Sequence, residues 1–131
     1  MPTFEILTGA LDQHERQELA KQIGIAAADA GQPRDDVTVV FIDAHTVFVH
    51  GQKPIPAEQF ARVEVTIGGL SDPQRRQLAR TVCDLLCDAG VREDAMTFII
   101  RDVTAPQVAA GRGHFPFWPD QTSQGSGVTE P

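Results

Sequence analysis

The chain has 131 residues, inside the roughly 100–200 residues of one domain, so a single compact unit with one core is expected and a multidomain organisation is disfavoured. Hydrophobic residues at 41% and charged residues at 22% match the soluble globular average, which excludes broad disorder, and no apolar run approaches the about 20 residues of a membrane helix. With 11 Lys and Arg against 18 Asp and Glu the net charge is −7, and no basic stripe offers a surface to nucleic acid.

In chain order, Thr3 to Thr8 alternates with Phe4, Ile6 and Thr8 on one face, which predicts a strand ended by Gly9. Asp12 followed by Glu15 is a helix-start signature, and Leu19, Ile23, Ala26, Ala27 and Ala30 then form an apolar stripe at helical spacing that Gly31 stops. Val37 to Ile42 is an uninterrupted apolar, β-branched run, expected as a strand covered on at least one face and buried in the sheet. Thr46 to Val49 is a short strand signal, and Gly51 to Pro56, with two prolines, is a turn-rich connector, so this segment is expected to make a small hairpin.

The same strand, helix, strand order then returns. Arg62 to Ile67 is a strand, Gly68-Gly69 a turn, Ser71 and Gln74 a capping pair, and Pro73 falls in the first helical turn, where its missing N–H costs nothing. Leu78, Val82, Leu85, Leu86 and Ala89 form the second stripe, Gly90 the stop and Met96 to Ile100 the closing strand. The halves align without a gap over about 40 residues. The offset, Gly9 to Gly68, is 59 positions, and it also superposes Glu5 on Glu64, Leu11 on Leu70, Arg16 on Arg75, Thr38 on Thr97 and Asp43 on Asp102.

Strands joined through such a helix should be parallel with a right-handed crossover. The expected fold class is therefore α+β: two tandem β-α-β units, residues 2–43 and 61–102, form a four-stranded mixed sheet with two helices on one face and a small hairpin in the connector 44–60. Residues 1–120 make one domain, and 121–131, with almost nothing to bury, is expected as a disordered tail. Two helices leave the opposite sheet face uncovered. Burial against other subunits is the simplest remedy, and a polar second face on a monomer is the alternative.

The Met1-Pro2 start, a β-α-β unit opening directly at that proline and a second tandem unit together resemble the tautomerase superfamily, over roughly residues 2 to 118. Gly113-His114-Phe115 resembles the segment after the last strand of 4-oxalocrotonate tautomerase, and Thr46 to Gly51 with its connector resembles the cis-3-chloroacrylic acid dehalogenase group. The resemblance implies a homotrimer without metal or organic cofactor. It also implies that Pro2, freed by removal of Met1, is the general base in enol–keto isomerisation of a small carbonyl or 2-oxo acid compound. A chain-terminal amine has a pKa of about 7.7–8.0, and an apolar pocket lowers it toward the pH at which a base works best. A non-catalytic binding or structural member of the same fold is the rival reading, and carbon–carbon chemistry through an iminium on Pro2 is a third. Taken alone, Pro2 is also a plain strand-edge proline.

The rest of the family's catalytic set departs. The arginines of 4-oxalocrotonate tautomerase fall on Ala10 and Thr38, and the dehalogenase group's arginines, glutamate, histidine and tyrosine fall near Ile67, Leu70, Ala109, Ala27 and Ile99, so hydrolytic dehalogenation is not expected. An acidic protein acting on an anion needs local positive charge, for which Arg112, Arg101 and Arg62 are the candidates, a solvated surface arginine being the plainer reading of each. Phe115 is a candidate binding residue and, with Phe117 and Trp118, would line the pocket of a neutral apolar substrate. His114 is a possible second acid or base. Cys83 and Cys87 share a helix face at metal-binding spacing but have no further ligands, and are expected as buried small hydrophobes. Two cysteines are too few for a disulfide framework, and no basic-then-apolar leader is evident, so the cytoplasm is the expected location.

Overall fold

A computed structural model describes residues 2–9, 11–32, 37–49, 51 and 53–103. The elements are β1 (Thr3–Thr8), α1 (Gln13–Asp29), β2 (Thr38–Asp43), β3 (Val47–Val49), β4 (Lys53–Ile55), β5 (Ala61–Ile67), α2 (Asp72–Asp88) and β6 (Met96–Asp102). The sheet order is β2-β1-β5-β6, with β1/β2 and β5/β6 parallel and the central β1/β5 pair antiparallel. The two β-α-β units thus lie head to tail about a pseudo-twofold axis, with both helices on one face.

The repeat is legible in the bonds as well as in the letters. Asp12 and Glu15 form the capping box of α1, and Ser71 and Gln74, 59 positions on, form that of α2. Arg16 is bonded to Asp43 and Arg75 to Asp102, tying the first turns of each helix to the end of the strand that follows it. The two helices end in the same way: Gln32 N–H reaches Ala27 O at 3.0 Å and Val91 N–H reaches Leu86 O at 3.1 Å, with Gly31 and Gly90 supplying the positive φ of the cap. Identical residues at that offset therefore mark identical jobs in the cross-braces and stops, and chemically similar ones do so in the caps.

The core lies between sheet and helices. Phe4, Ile6, Val63 and Val65 are fully buried under Ile23, Leu78, Val82 and Leu86. The helices contribute unequally, because α1 buries Gly24, Ala26 and Ala27 beside Leu19 and Ile23, while α2 buries Leu78, Val82 and Leu86. Small residues on α1 make room for large ones on α2.

The small hairpin expected in the connector forms, with a strand where Gly51 to Pro56 was expected to be only a turn-rich connector, and the place of one sheet strand is corrected. The apolar run ending at Ile42 is an edge strand: Val37, Val39 and Phe41 pack on the core, and Val40 and Ile42 on the other face are 40% and 44% exposed. An uninterrupted apolar run marks two faces that both prefer cover, and one chain provides cover for only one of them. In the connector, Lys53–Ile55 is a strand paired antiparallel with β3, with Pro54 opposite Phe48. An isolated two-stranded ribbon is all edge, so a proline that lacks its N–H is tolerated there. Among the described residues no helix is long and apolar enough to cross a membrane.

Candidate functional site

Pro2 continues the alternation of β1 on the helix-facing side and is fully buried, and its carbonyl accepts the Thr38 N–H at 3.0 Å. The antiparallel β1/β5 register, Thr3 opposite Thr66, brings the end of β5 and the start of α2 beside it. The end of α1 meets the same corner. Gln32 Nε2 donates to Gly68 O and Gln74 Nε2 donates to Ala30 O, both at 3.4 Å, cross-linking the two helices there. Gly68 has no room for a side chain, because a Cβ would run into the Val103 carbonyl oxygen.

The repeat partner of Pro2 at the 59-residue offset is Ala61, also fully buried, at the opposite end of the sheet opposite Thr8. Ala61 is an internal residue whose nitrogen is an amide. Chemistry that needs a terminal amine therefore has one place per chain, despite the doubled fold.

Arg62 and Arg101 alternate onto the face away from the helices, opposite to the Pro2 ring. The structure brings these two together on one acid: Glu64 accepts from Arg101 Nη2 at 3.0 Å and pairs with Arg62 Nη2 at 3.2 Å. Arg101 lies one residue before Asp102, and the aligned row Thr3, Thr66, Arg101 sets it near the Pro2 end of the sheet, whereas Arg62, opposite Leu7, is at the other end. The remaining arginine at the Pro2 corner, Arg75, is held by Asp72 and Asp102. Arg112, His114, Phe115 and the segment 121–131 lie outside the described residues.

Glu64 is the site residue that sequence reasoning missed. Its signal was present as Arg62-x-Glu64 on one strand face, but Arg101 joins it only through the β5/β6 register. The Arg101 hydrogen bond, with the Arg62 charge adding to it and burial opposing, holds the Glu64 carboxyl below its ordinary value of 4.5. A carboxylate with a depressed folded-state pKa adds stability above its unfolded value and loses it as pH falls through the folded one. Stability to urea should therefore decline on acidification below about pH 4.5 more steeply for the native chain than for Glu64→Gln; equal slopes would contradict the assignment.

Cys83 and Cys87 are not core residues: Cys83 is half-buried and Cys87 exposed, on the flank of the Leu78, Val82, Leu86 stripe. Helical spacing aligned them with each other but not with the core. Partial burial pushes both thiols up, with Asp84 and Glu93 adding. Among the described residues no three His, Cys, Asp or Glu side chains are grouped to hold a metal ion. Two shallow depressions lie at the ends of the helix seam, one beside Ala26 and Leu78 and the other beside Leu19 and Leu85, and Pro2 lines neither.

No protein-family model matches the sequence, and no curated protein matches it. Solved structures do match. A member of the cis-3-chloroacrylic acid dehalogenase family superposes with a TM-score of 0.74 at 18% identity, covering 93% of this chain and 88% of its own. A macrophage migration inhibitory factor-like protein from Entamoeba histolytica gives 0.74 at 14%, covering 87% and 98%. The R7 fused 4-OT, described as an asymmetric trimer, gives 0.71 at 18%, covering 86% and 94%. The tandem units, the mixed sheet with both helices on one face, and these three superpositions agree: the chain has the tautomerase superfamily fold.

Proposed function

We propose that the protein is an isomerase in which Pro2, exposed by removal of Met1, is the general base for enol–keto conversion of a small carbonyl or 2-oxo acid compound. The observation that carries this reading is the full burial of Pro2 at the head of β1. Burial disfavours the cation, so an imino nitrogen there stays largely neutral near pH 7 and can accept a proton. It takes the enol hydroxyl proton and returns it to the conjugated carbon, leaving the keto form and the free amine.

In this reading the charge that holds a substrate carboxylate comes from Arg112, or from Arg101 or Arg62 on release from Glu64. Phe115 and His114 are the further substrate-binding residues, His114 as a second acid or base. Residues 1–120 form the catalytic domain, without metal or cofactor, and the chain works as a homotrimer in the cytoplasm. The uncovered sheet face supports the assembly, as does the description of one structural neighbour as a trimer. A non-catalytic small-molecule binder is the second reading, favoured by Ala10 and Thr38 where the resemblance implies arginines.

The test is ketonisation of a simple enolpyruvate followed by ultraviolet absorbance, with intact mass fixing the first residue. A chain that starts at Pro2 accelerates the reaction and one that keeps Met1 does not, because its Pro2 nitrogen is an amide. Equal rates from the two would end the proposal.

A further inference from the structure

The two ends of the sheet are related by the 59-residue offset but are fastened differently. At the Ala61 end the chain that leads into β5 closes the corner: Ala57 O accepts from Gly9 N–H at 3.1 Å, Gln59 O from Arg92 N–H at 2.9 Å and Phe60 O from Thr8 Oγ1 at 2.5 Å. The positions that correspond to 57–60 would precede Pro2. A chain that starts at Pro2, as a free imino nitrogen requires, has no such segment to close its corner.

At the Pro2 end two side-chain amides take that place. Gln32 Nε2 donates to Gly68 O and Gln74 Nε2 to Ala30 O, joining the end of α1 to the turn between β5 and α2. Gln74 does this while its Oε1 accepts from Ser71 N–H at 2.8 Å, so one side chain both caps α2 and reaches α1. Its repeat partner Glu15 shows that the cap alone needs only an acceptor. Glu15 Oε1 takes the Asp12 N–H at 2.9 Å, but a carboxylate has no proton for Ala89 O in the depression that both residues line. The repeat partner of Gln32 is Val91, whose side chain has no donor at all. Of the two ends, the amides therefore stand at the one that carries Pro2.

Resting on the reading of Pro2 as general base, we propose that Gln32 and Gln74 are positioning residues that hold this corner shut over the Pro2 ring. They act through the end of α1 and the turn after β5: Gly68 follows Ile67, the residue that continues the antiparallel register opposite Pro2. A closed corner keeps water from the imino nitrogen, which holds its pKa low. The amides are also uncharged. Among the described residues, the charged groups that the surrounding elements bring are Asp29 on α1, Asp72 and Arg75 on α2 and Asp102 on β6, and Arg75 is paired with both Asp72 and Asp102. Gln74→Glu removes the donor to Ala30 O and adds a negative charge, and both changes favour the cation of Pro2.

The pH dependence of kcat/KM for enolpyruvate ketonisation, which reports the base of the free enzyme, tests this in the full chain. Gln32→Ala and Gln74→Glu should each move the midpoint up by about half a pH unit or more, so that the rate below both midpoints falls at least roughly threefold. Gln32→Ala should regain the native rate on the alkaline plateau. Glu15→Gln, at the Ala61 end, should leave the midpoint in place. Profiles that match the native one, or that fall without a shifted midpoint, would overturn the positioning role while leaving Pro2 as the base, and so would a Glu15→Gln midpoint that moves as far. Native activity in Pro2→Ala would remove the general base itself and this role with it. Should Gln32→Ala fail to fold, Gln74→Glu, which keeps the kind of cap that Glu15 gives α1, answers alone.

Discussion

Pro2→Ala lowers the rate of enolpyruvate ketonisation by at least roughly 100-fold, the lower end of what a positioned general base supplies. The variant keeps an amine at the chain terminus, so the loss isolates what the ring does. The pyrrolidine is fully buried at the head of β1, and its ring closure fixes the direction of the nitrogen lone pair while its burial keeps water from it. Alanine opens a void beside the nitrogen, admits water and frees the terminus to rotate, so the cation regains its solvation and less of the amine is neutral. The deficit should fall on kcat more than on KM, because the proton transfer and not substrate affinity is affected. Native rates in Pro2→Ala would leave the fold and remove the catalytic role.

Leu86→Ala destabilises the chain by about 2–5 kcal/mol, the range for deleting a buried leucine side chain, which is a large part of the roughly 5–15 kcal/mol of a typical domain. Leu86 is fully buried in the α2 stripe, toward the Leu19 end of the helix seam. Urea denaturation checks this: the midpoint should fall with little change in slope. A loss under about 1 kcal/mol would mean that the helices collapse onto the site, contrary to the tight packing of native cores.

The repeat made the architecture legible in one sequence. A shared offset carried caps, braces and stops from one half to the other, and each half checked the reading of its twin. What the sequence hid followed from neighbours that only assembly of the sheet supplies. The run up to Ile42 gives no sign that it is an edge, because hydrophobicity reports a preference for burial and not whether the partner is in the same chain. The Glu64 cluster depends on the register that sets Arg101 beside β5, a relation 37 residues apart in sequence. Cys83 and Cys87 misled because an i, i+4 spacing establishes a shared face but not which way it turns. Pro2 was singled out by the resemblance of a Met-Pro start and tandem units to the tautomerase superfamily, its local pattern alone fitting a plain strand-edge proline, and its burial emerged only with the fold.

The measurement closest to the central claim is a pH titration of the Pro2 imino nitrogen by 15N NMR on the mature chain. Shelter by the core predicts a midpoint below the about 7.7–8.0 of a free chain-terminal amine, with the neutral form dominant above that lowered midpoint. A midpoint at or above that range, or a nitrogen that does not titrate because Met1 remains attached, would contradict it.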